Sequence, residues 1–231
     1  MKYISCTINL FLMKENNQIK ADSLRESHPH PSKETFCSFC HLLYDRHLVA
    51  GVGGNMAALS GENIFLTPSG YSLREVKPDM VVTVNGKGIV IEGANPTKDA
   101  AMHLGVLRVR PDVNVVFHVH GAYLVAASVM LEPGPDTLPP LTPGFVYYAH
   151  PLSMLPFFVP GTQILAKTVA EKFAERQCRA VLLQNHGLVT VGKDFQEALN
   201  VAEEIDEAAR IFVLTDGKAT VIPSKDLEKI R

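Results

Sequence analysis

The stretch VNVVFHVHGAY, residues 113–123, constrains the fold more than any other part of this 231-residue chain. Its Val and Phe residues favour a strand, and a strand sends successive side chains to opposite faces. Phe117 and Val119 therefore share one face, and His118 and His120 share the other. Two rises of roughly 3.4 Å put the histidine Cα atoms about 7 Å apart, close enough for both imidazoles to lean onto one ion. The same spacing also suits two hydrogen-bonded histidines inside a core. The rest of the chain must choose between these readings.

Around that strand, helical and strand periods alternate with short connections. Residues 32–48 are expected to form a helix capped by Ser32, followed by short strands at 56–60, 63–67, 80–84 and 88–92 with SGEN and NGKG turns between them. A helix at 97–109 follows Pro96, the histidine strand covers 113–120, and a second helix covers 121–131. A proline-rich connection, EPGPDTLPPLTPG, leads to a strand ending near Phe158 and an amphipathic helix at 162–176. AVLLQNHGLVTVG reads as a hairpin turning at Asn185–Gly187, a long helix spans 194–215, and a short one starts at Ser224. Strands joined both by hairpins and by helical crossovers imply a layered α/β domain with a mixed or mostly antiparallel sheet.

Charge narrows the class of partner. The chain carries 22 Lys+Arg against 24 Asp+Glu with no basic block, which argues against nucleic acid. No apolar run is long enough to span a bilayer. The opening MKYISCTINLFLM is broken by Ser5, Thr7 and Asn9 and runs into KENNQIK without a small-residue cleavage site, so export is not expected. Met13 could serve as the start equally well. Residues 1–31 read as a flexible leader, within which His28 and His30 only superficially resemble a metal pair, because Pro29 and Pro31 keep them extended. Residues 32–231 then form a single domain. Cys37 and Cys40 make a CxxC inside a helix with no second pair to complete a zinc site, so they read as small residues on an apolar face with Phe36 and Leu43. Four cysteines used in this way fit a reducing, cytoplasmic setting.

The hairpin supplies a third imidazole, His186, at the turn of QNHG. Three histidines from two strands would form a cation site with an open position, the pattern of a catalytic rather than a closed structural zinc. Asp99 opens the helix beginning PTKDAAMHL, and His103 lies one turn on along the same face. Dipole compensation alone also explains an acid in a first helical turn. GVGGNMA places flexible backbone before a strand with Asn55 as a donor, and TPSG offers Thr67, Ser69 and the Gly70 amide. Backbone amides in such turns can cradle phosphate or carboxylate. GVGG is not a dinucleotide fingerprint, because no strand precedes it and no helix follows it.

In order, GNMAALSGENIFLTPSG, PTKDAAMHLGVLRVRPDVNVVFHVHG, VPGTQILAKTVAE, AVLLQNHGLVTVGKDFQEAL and AEEIDEAARIF resemble the class II aldolase/adducin family over roughly residues 34–215. The resemblance implies a three-layer α/β/α sandwich around a mixed, mostly antiparallel sheet. It implies a homotetramer with active sites between subunits, and a small-molecule substrate. It also implies a zinc ion, or another divalent transition metal, on His118, His120 and His186. In fuculose-phosphate aldolases a Pro-Ser-Ser-Glu block supplies phosphate contacts and the acid/base carboxylate. Here it reads Pro96, Thr97, Lys98, Asp99, which places Asp99 at the carboxylate and Asn55, Ser69, Gly70, Thr97 and Lys98 around the substrate's anionic end.

The variants of that block point in different directions. In ribulose-phosphate 4-epimerases an Asp at this position resembles a fourth metal ligand. A lysine at the Lys98 position, and the stretch LPPLTPGFVYYAHP, resemble 3-oxo-tetronate 4-phosphate decarboxylases. The aldolases also carry one tyrosine near Thr142 and another in the tail. This chain offers Tyr147 and Tyr148, offset by several positions, and no tyrosine after Tyr148. The expected activity is a metal-dependent carbon–carbon lyase on a polyhydroxy keto substrate, by aldol cleavage or decarboxylation. An epimerase, or a non-catalytic adducin-like assembly module, are the competing expectations.

Overall fold

The computed structural model describes residues 30–230. The expected leader, with His28 and both candidate starts, lies outside those residues except for its last two positions. His30 accepts a hydrogen bond through Nδ1 from the Gly61 N–H (3.0 Å), and the Pro31 carbonyl accepts one from the Ser60 hydroxyl (3.1 Å).

Helix α1, Lys33–Asp45, begins where the Ser32 hydroxyl accepts the Thr35 N–H (3.2 Å), a cap contributing about 1 kcal/mol. Phe36, Cys37, Cys40 and Leu43 form its buried stripe at three- and four-residue spacing, as the CxxC reading expected. Four strands follow: β1 (Asn55–Ser60), β2 (Asn63–Leu66), β3 (Val82–Asn85) and β4 (Val90–Glu92). Helix α2 (Ala100–Val109) leads into the histidine strand β5 (Val115–Val119) and helix α3 (Ala122–Met130). Then come helix α4 (Pro143–Ala149), strand β6 (Ser153–Leu155) and helix α5 (Gln163–Phe173). The β7 (Ala180–Leu183) and β8 (Gly187–Gly192) hairpin precedes the long helix α6 (Phe195–Leu214) and a final turn of helix, α7 (Ser224–Leu227).

The eight strands lie in the order β4-β3-β2-β1-β5-β8-β7-β6, and every neighbouring pair is antiparallel except β6 with β7. This is the mixed, mostly antiparallel sheet expected from hairpins combined with crossovers. Two apolar clusters cover it. One joins α1, α3, α4 and α6 to Met56, Phe117, Val119 and Leu188, and the other joins α2 and α5 to Ala57, Val116, Val181 and Val189. The result is a three-layer α/β/α arrangement with β5 near its middle. Phe117 and Val119 drive into the first cluster, so the period of two turns His118 toward the α2 and α5 side. Fully burying a side chain the size of Phe117 contributes roughly 1.5–3 kcal/mol, so this facing is strongly held.

Several boundaries differ from the sequence reading: α1 stops at Asp45 and α5 at Phe173, each three residues short, and β3 and β4 each start two residues late. Helix α4 occupies part of the stretch read as a proline-rich connection; the Thr142 hydroxyl accepts the Phe145 N–H (3.2 Å), and Pro143 suits the first helical position. Strand β6 ends at Leu155 rather than near Phe158, because Pro156 has no N–H to extend a ladder. Helix α2 begins at Ala100, three positions late, because Thr97–Asp99 form a turn in which the Asp99 N–H donates to the Thr97 hydroxyl (3.3 Å). Among the described residues no helix is long and apolar enough to cross a membrane.

Candidate metal centre

The sheet assembles the histidines. His118 is fully buried on β5, with Asn55 of β1 opposite it on one side and Val189 of β8 on the other. Its Nδ1–H donates to the Leu188 carbonyl (3.1 Å), which leaves the lone pair on Nε2. That nitrogen lies 2.9 Å from His120 Nε2 and 3.2 Å from His186 Nε2. One lone pair can accept one N–H, yet two ring nitrogens face it. A shared cation satisfies all three lone pairs together, so the donor set fits a divalent metal with an imidazole preference, zinc among them.

Protonation states agree with that fit. Burial holds His118 well below the ordinary imidazole range, and the neighbouring His120 and His186 rings push it further. Burial, again reinforced by His186, brings His120 down to about 4, and burial lowers His186 as well. Near pH 7 all three rings are neutral, the form that ligates metal. Their candidate ligand atoms lie within 4.8 Å of one another, and no other such group of three or more occurs among the described residues. His186 Nδ1 is buried without a hydrogen-bond partner.

Two glycines make this approach possible, and the sequence reading missed both roles. A Cβ on Gly187 would stand 2.3 Å from the Val119 carbonyl oxygen and 2.7 Å from His120 Cδ2. A Cβ on Gly53 would stand 2.9 Å from His120 Nδ1. The backbone completes the arrangement: the His120 N–H donates to the Leu48 carbonyl (2.8 Å), and the His186 N–H donates to the Leu183 carbonyl (3.1 Å). GVGG is thus a steric clearance beneath an imidazole, a role that only tertiary proximity reveals.

Asp99 occupies the N-cap position of α2 but makes no side-chain cap bond, so it forgoes the local stabilisation an acid could gain there. Its Oδ2 instead accepts the Asn55 amide N–H (2.9 Å), and Asn55 Oδ1 accepts from His103 Nε2 (2.5 Å). Asp99 Oδ1 is buried with no partner. Its charge opposes the lowering of both His120 and His186, which places the carboxylate within electrostatic reach of the triad. Asn55 and Thr97 are both buried.

The loops expected to hold an anion are stitched to each other. The Thr97 N–H donates to the Thr67 carbonyl (2.9 Å), and the Ser69 N–H donates to the Asn95 carbonyl (3.0 Å). Ser69 is half-buried, while Gly70, at φ +85°, and Lys98 are exposed. The structure therefore brings Asn55, Thr97 and Asp99 together in the interior and leaves Ser69, Gly70 and Lys98 on the adjoining loops. Of the two candidate tyrosines, Tyr147 is exposed, and the Tyr148 hydroxyl accepts from the Asn200 amide (3.3 Å) on α6.

Fold and site together define an α/β protein built around a cluster of three imidazoles, buried at His118 and half-buried at His120 and His186, with a carboxylate beside it. The chain belongs to the class II aldolase and adducin family: the Class II Aldolase and Adducin N-terminal domain matches residues 34–213. It is similar to the 3-oxo-tetronate 4-phosphate decarboxylase of Haemophilus influenzae, 29% identical over 203 residues that cover 85% of this chain and 95% of that one. It is also similar to the L-fuculose phosphate aldolase of Methanocaldococcus jannaschii, 32% identical over 182 residues, 79% of this chain and 96% of that one. Among solved structures, YgbL of Klebsiella pneumoniae superposes with a TM-score of 0.80 at 26% identity, covering 92% of this chain and all of that one. The chain is an enzyme of the class II aldolase type.

Proposed function

We propose that this protein is a divalent-metal-dependent carbon–carbon lyase acting on a small phosphorylated polyhydroxy keto compound, with zinc as its ion. The observation that carries this reading is the convergence of three neutral imidazole nitrogens beside the unpartnered Asp99 Oδ1. The ion, held by His118, His120 and His186, would act as a Lewis acid on a substrate oxygen and stabilise the negative charge that develops there.

The chain's own residues do the rest. Asp99 takes up and returns a proton through Oδ1, the oxygen its hydrogen bond to Asn55 leaves free. The Ser69 hydroxyl, the Gly70 amide, Thr97 and Lys98 hold the anionic end of the substrate, and Asn55 contributes its second amide hydrogen. A homotetramer with the site near a subunit boundary completes the proposal, and a cytoplasmic setting suits free, unpaired thiols at Cys37, Cys40 and Cys178.

The test is a panel of ketose 1-phosphates and 3-oxo sugar-acid phosphates given to zinc-loaded protein. Release of an aldehyde identifies aldol cleavage, and release of CO₂ identifies decarboxylation. Turnover of neither class by metal-replete protein refutes the lyase reading.

A further inference from the structure

We propose that His103 is a positioning residue: through the Asn55 amide it fixes which way the Asp99 carboxylate is held against the histidine centre. The proposal rests on the lyase reading for its kinetic consequence, but its structural core stands apart from it.

His103 lies on α2, one turn beyond Asp99 on the same helical face, and is fully buried. Its Nε2 meets Asn55 Oδ1, and a carbonyl oxygen only accepts, so the ring proton must sit on Nε2. That proton and the Asp99 carboxylate hold the amide from its two ends. With Oδ1 committed to His103, Asn55 can present only its N–H to Asp99 Oδ2, which is the 2.9 Å bond observed. A flipped amide has nearly the same shape but would set N–H against N–H on one side and oxygen against carboxylate on the other. Both bonds would be lost. The Nε2–H of His103 and the acceptor-only Asp99 carboxylate together hold the amide in one orientation, and the amide anchors one carboxylate oxygen while leaving the other without a partner.

The ring's remaining nitrogen supports a functional explanation. His103 Nδ1 is buried with no hydrogen-bond partner, a desolvation penalty that a leucine of similar volume would avoid. Burial lowers His103 to about 4 against the opposing Asp99 charge, so the ring remains neutral with its single proton available to Asn55. A helix whose other inward residues include Met102, Leu104, Val106 and Leu107 had an apolar alternative at hand.

The test uses His103→Leu and His103→Gln in the full-length zinc-loaded chain, with ¹⁵N-histidine NMR of the unaltered protein. The NMR spectrum should show His103 as the Nε2–H tautomer; an Nδ1–H assignment overturns the proposal whether or not any substrate is known. His103→Leu should retain zinc and its melting transition and lose about 10–100-fold in kcat with KM little changed, the range for residues that orient site groups. His103→Gln, whose amide N–H can reach Asn55 Oδ1, should recover most of that loss. Full kcat in the leucine variant, or a glutamine variant equally slow while folded and metal-replete, overturns the proposal. Should the leucine variant fail to fold, the glutamine variant and the tautomer decide. A wild type with no turnover on the substrate panel refutes the lyase reading instead, and the tautomer still tests the positioning.

Discussion

Asn55 and His118 stand directly opposite each other across β1 and β5, so their side chains share one face of the sheet. From that position Asn55 holds Asp99, 44 residues further along the chain, while His118 gathers His120 and His186. One ladder pair thus joins the carboxylate to the histidine cluster. Sliding β1 by one residue would turn Asn55 to the other face and separate the two halves of the site.

The first consequence concerns Asp99. Asp99→Asn keeps the size of the side chain and removes its ability to accept a proton, so kcat should fall by about 10²–10⁴-fold. Because the ion is assigned to the imidazoles alone, zinc content by elemental analysis should remain unchanged. Loss of the metal in this variant would instead make Asp99 a fourth ligand.

The second concerns the ion. Purified protein should contain about one divalent ion per chain for a site of three imidazoles with an open position. Dialysis against a chelator should abolish turnover, and zinc should restore it. His118→Ala should lose both metal and turnover while retaining the sheet by circular dichroism. A metal-free preparation with full activity would contradict the assignment.

Much of this centre can be read directly from residue spacing. The alternation in FHVH puts His118 and His120 on one face, and the four-residue interval puts Asp99 and His103 on one side of a helix. Such periodicities are local and survive folding. The commitments of Asn55 are not local, since its partners come from a helix 44 and 48 residues away. Nor is the clearance at Gly187, which depends on how closely β8 approaches the end of β5. Helix α4 was hidden for another reason: prolines that signal a connection also start helices, and only the Thr142 cap distinguishes the two.

A third prediction lies away from the centre. Asp206 on α6 borders a cleft of about 750 Å³ formed with Asp45, Arg46, His47 and Glu203. Its Oδ1 is buried without a hydrogen bond. Burial raises its carboxyl from 3.8 to about 6, with Arg210 opposing and Glu203 adding. The folded state therefore binds this proton more tightly than the unfolded chain does, and stability falls as pH rises from about 4 to about 6. Each tenfold difference in proton affinity corresponds to about 1.4 kcal/mol, so the loss is bounded at about 3 kcal/mol, less what solvent screening removes. Asp206→Asn should be more stable than the wild type at pH 8, and that advantage should shrink toward pH 4. Paired urea titrations at each pH measure the difference, and an advantage independent of pH would exclude Asp206 as its source.

Gly187→Ala tests the geometry of the centre itself. The added Cβ would meet the Val119 carbonyl oxygen at 2.3 Å, well inside contact distance. Because that atom is backbone inside a paired strand, neither side can yield without opening the β5–β8 ladder, where Val119 pairs with Leu188. Overpacking of this kind costs about 1–3 kcal/mol, and a backbone clash belongs at the upper end. The same methyl would press His120 Cδ2 at 2.7 Å and tilt the ring away from His118. The variant should therefore lose about 3 kcal/mol in urea denaturation of the metal-free protein. Its zinc affinity, measured by competition with a chromophoric chelator, should fall about 10–100-fold, the range seen when a ligand's orientation is disturbed. The two losses have different origins: the first comes from the strand carbonyl and the second from the ring. A Gly187→Ala protein that is destabilised but binds zinc normally would mean that the His120 ring can move aside without leaving the ion, so that its position is set by the metal rather than by the strands.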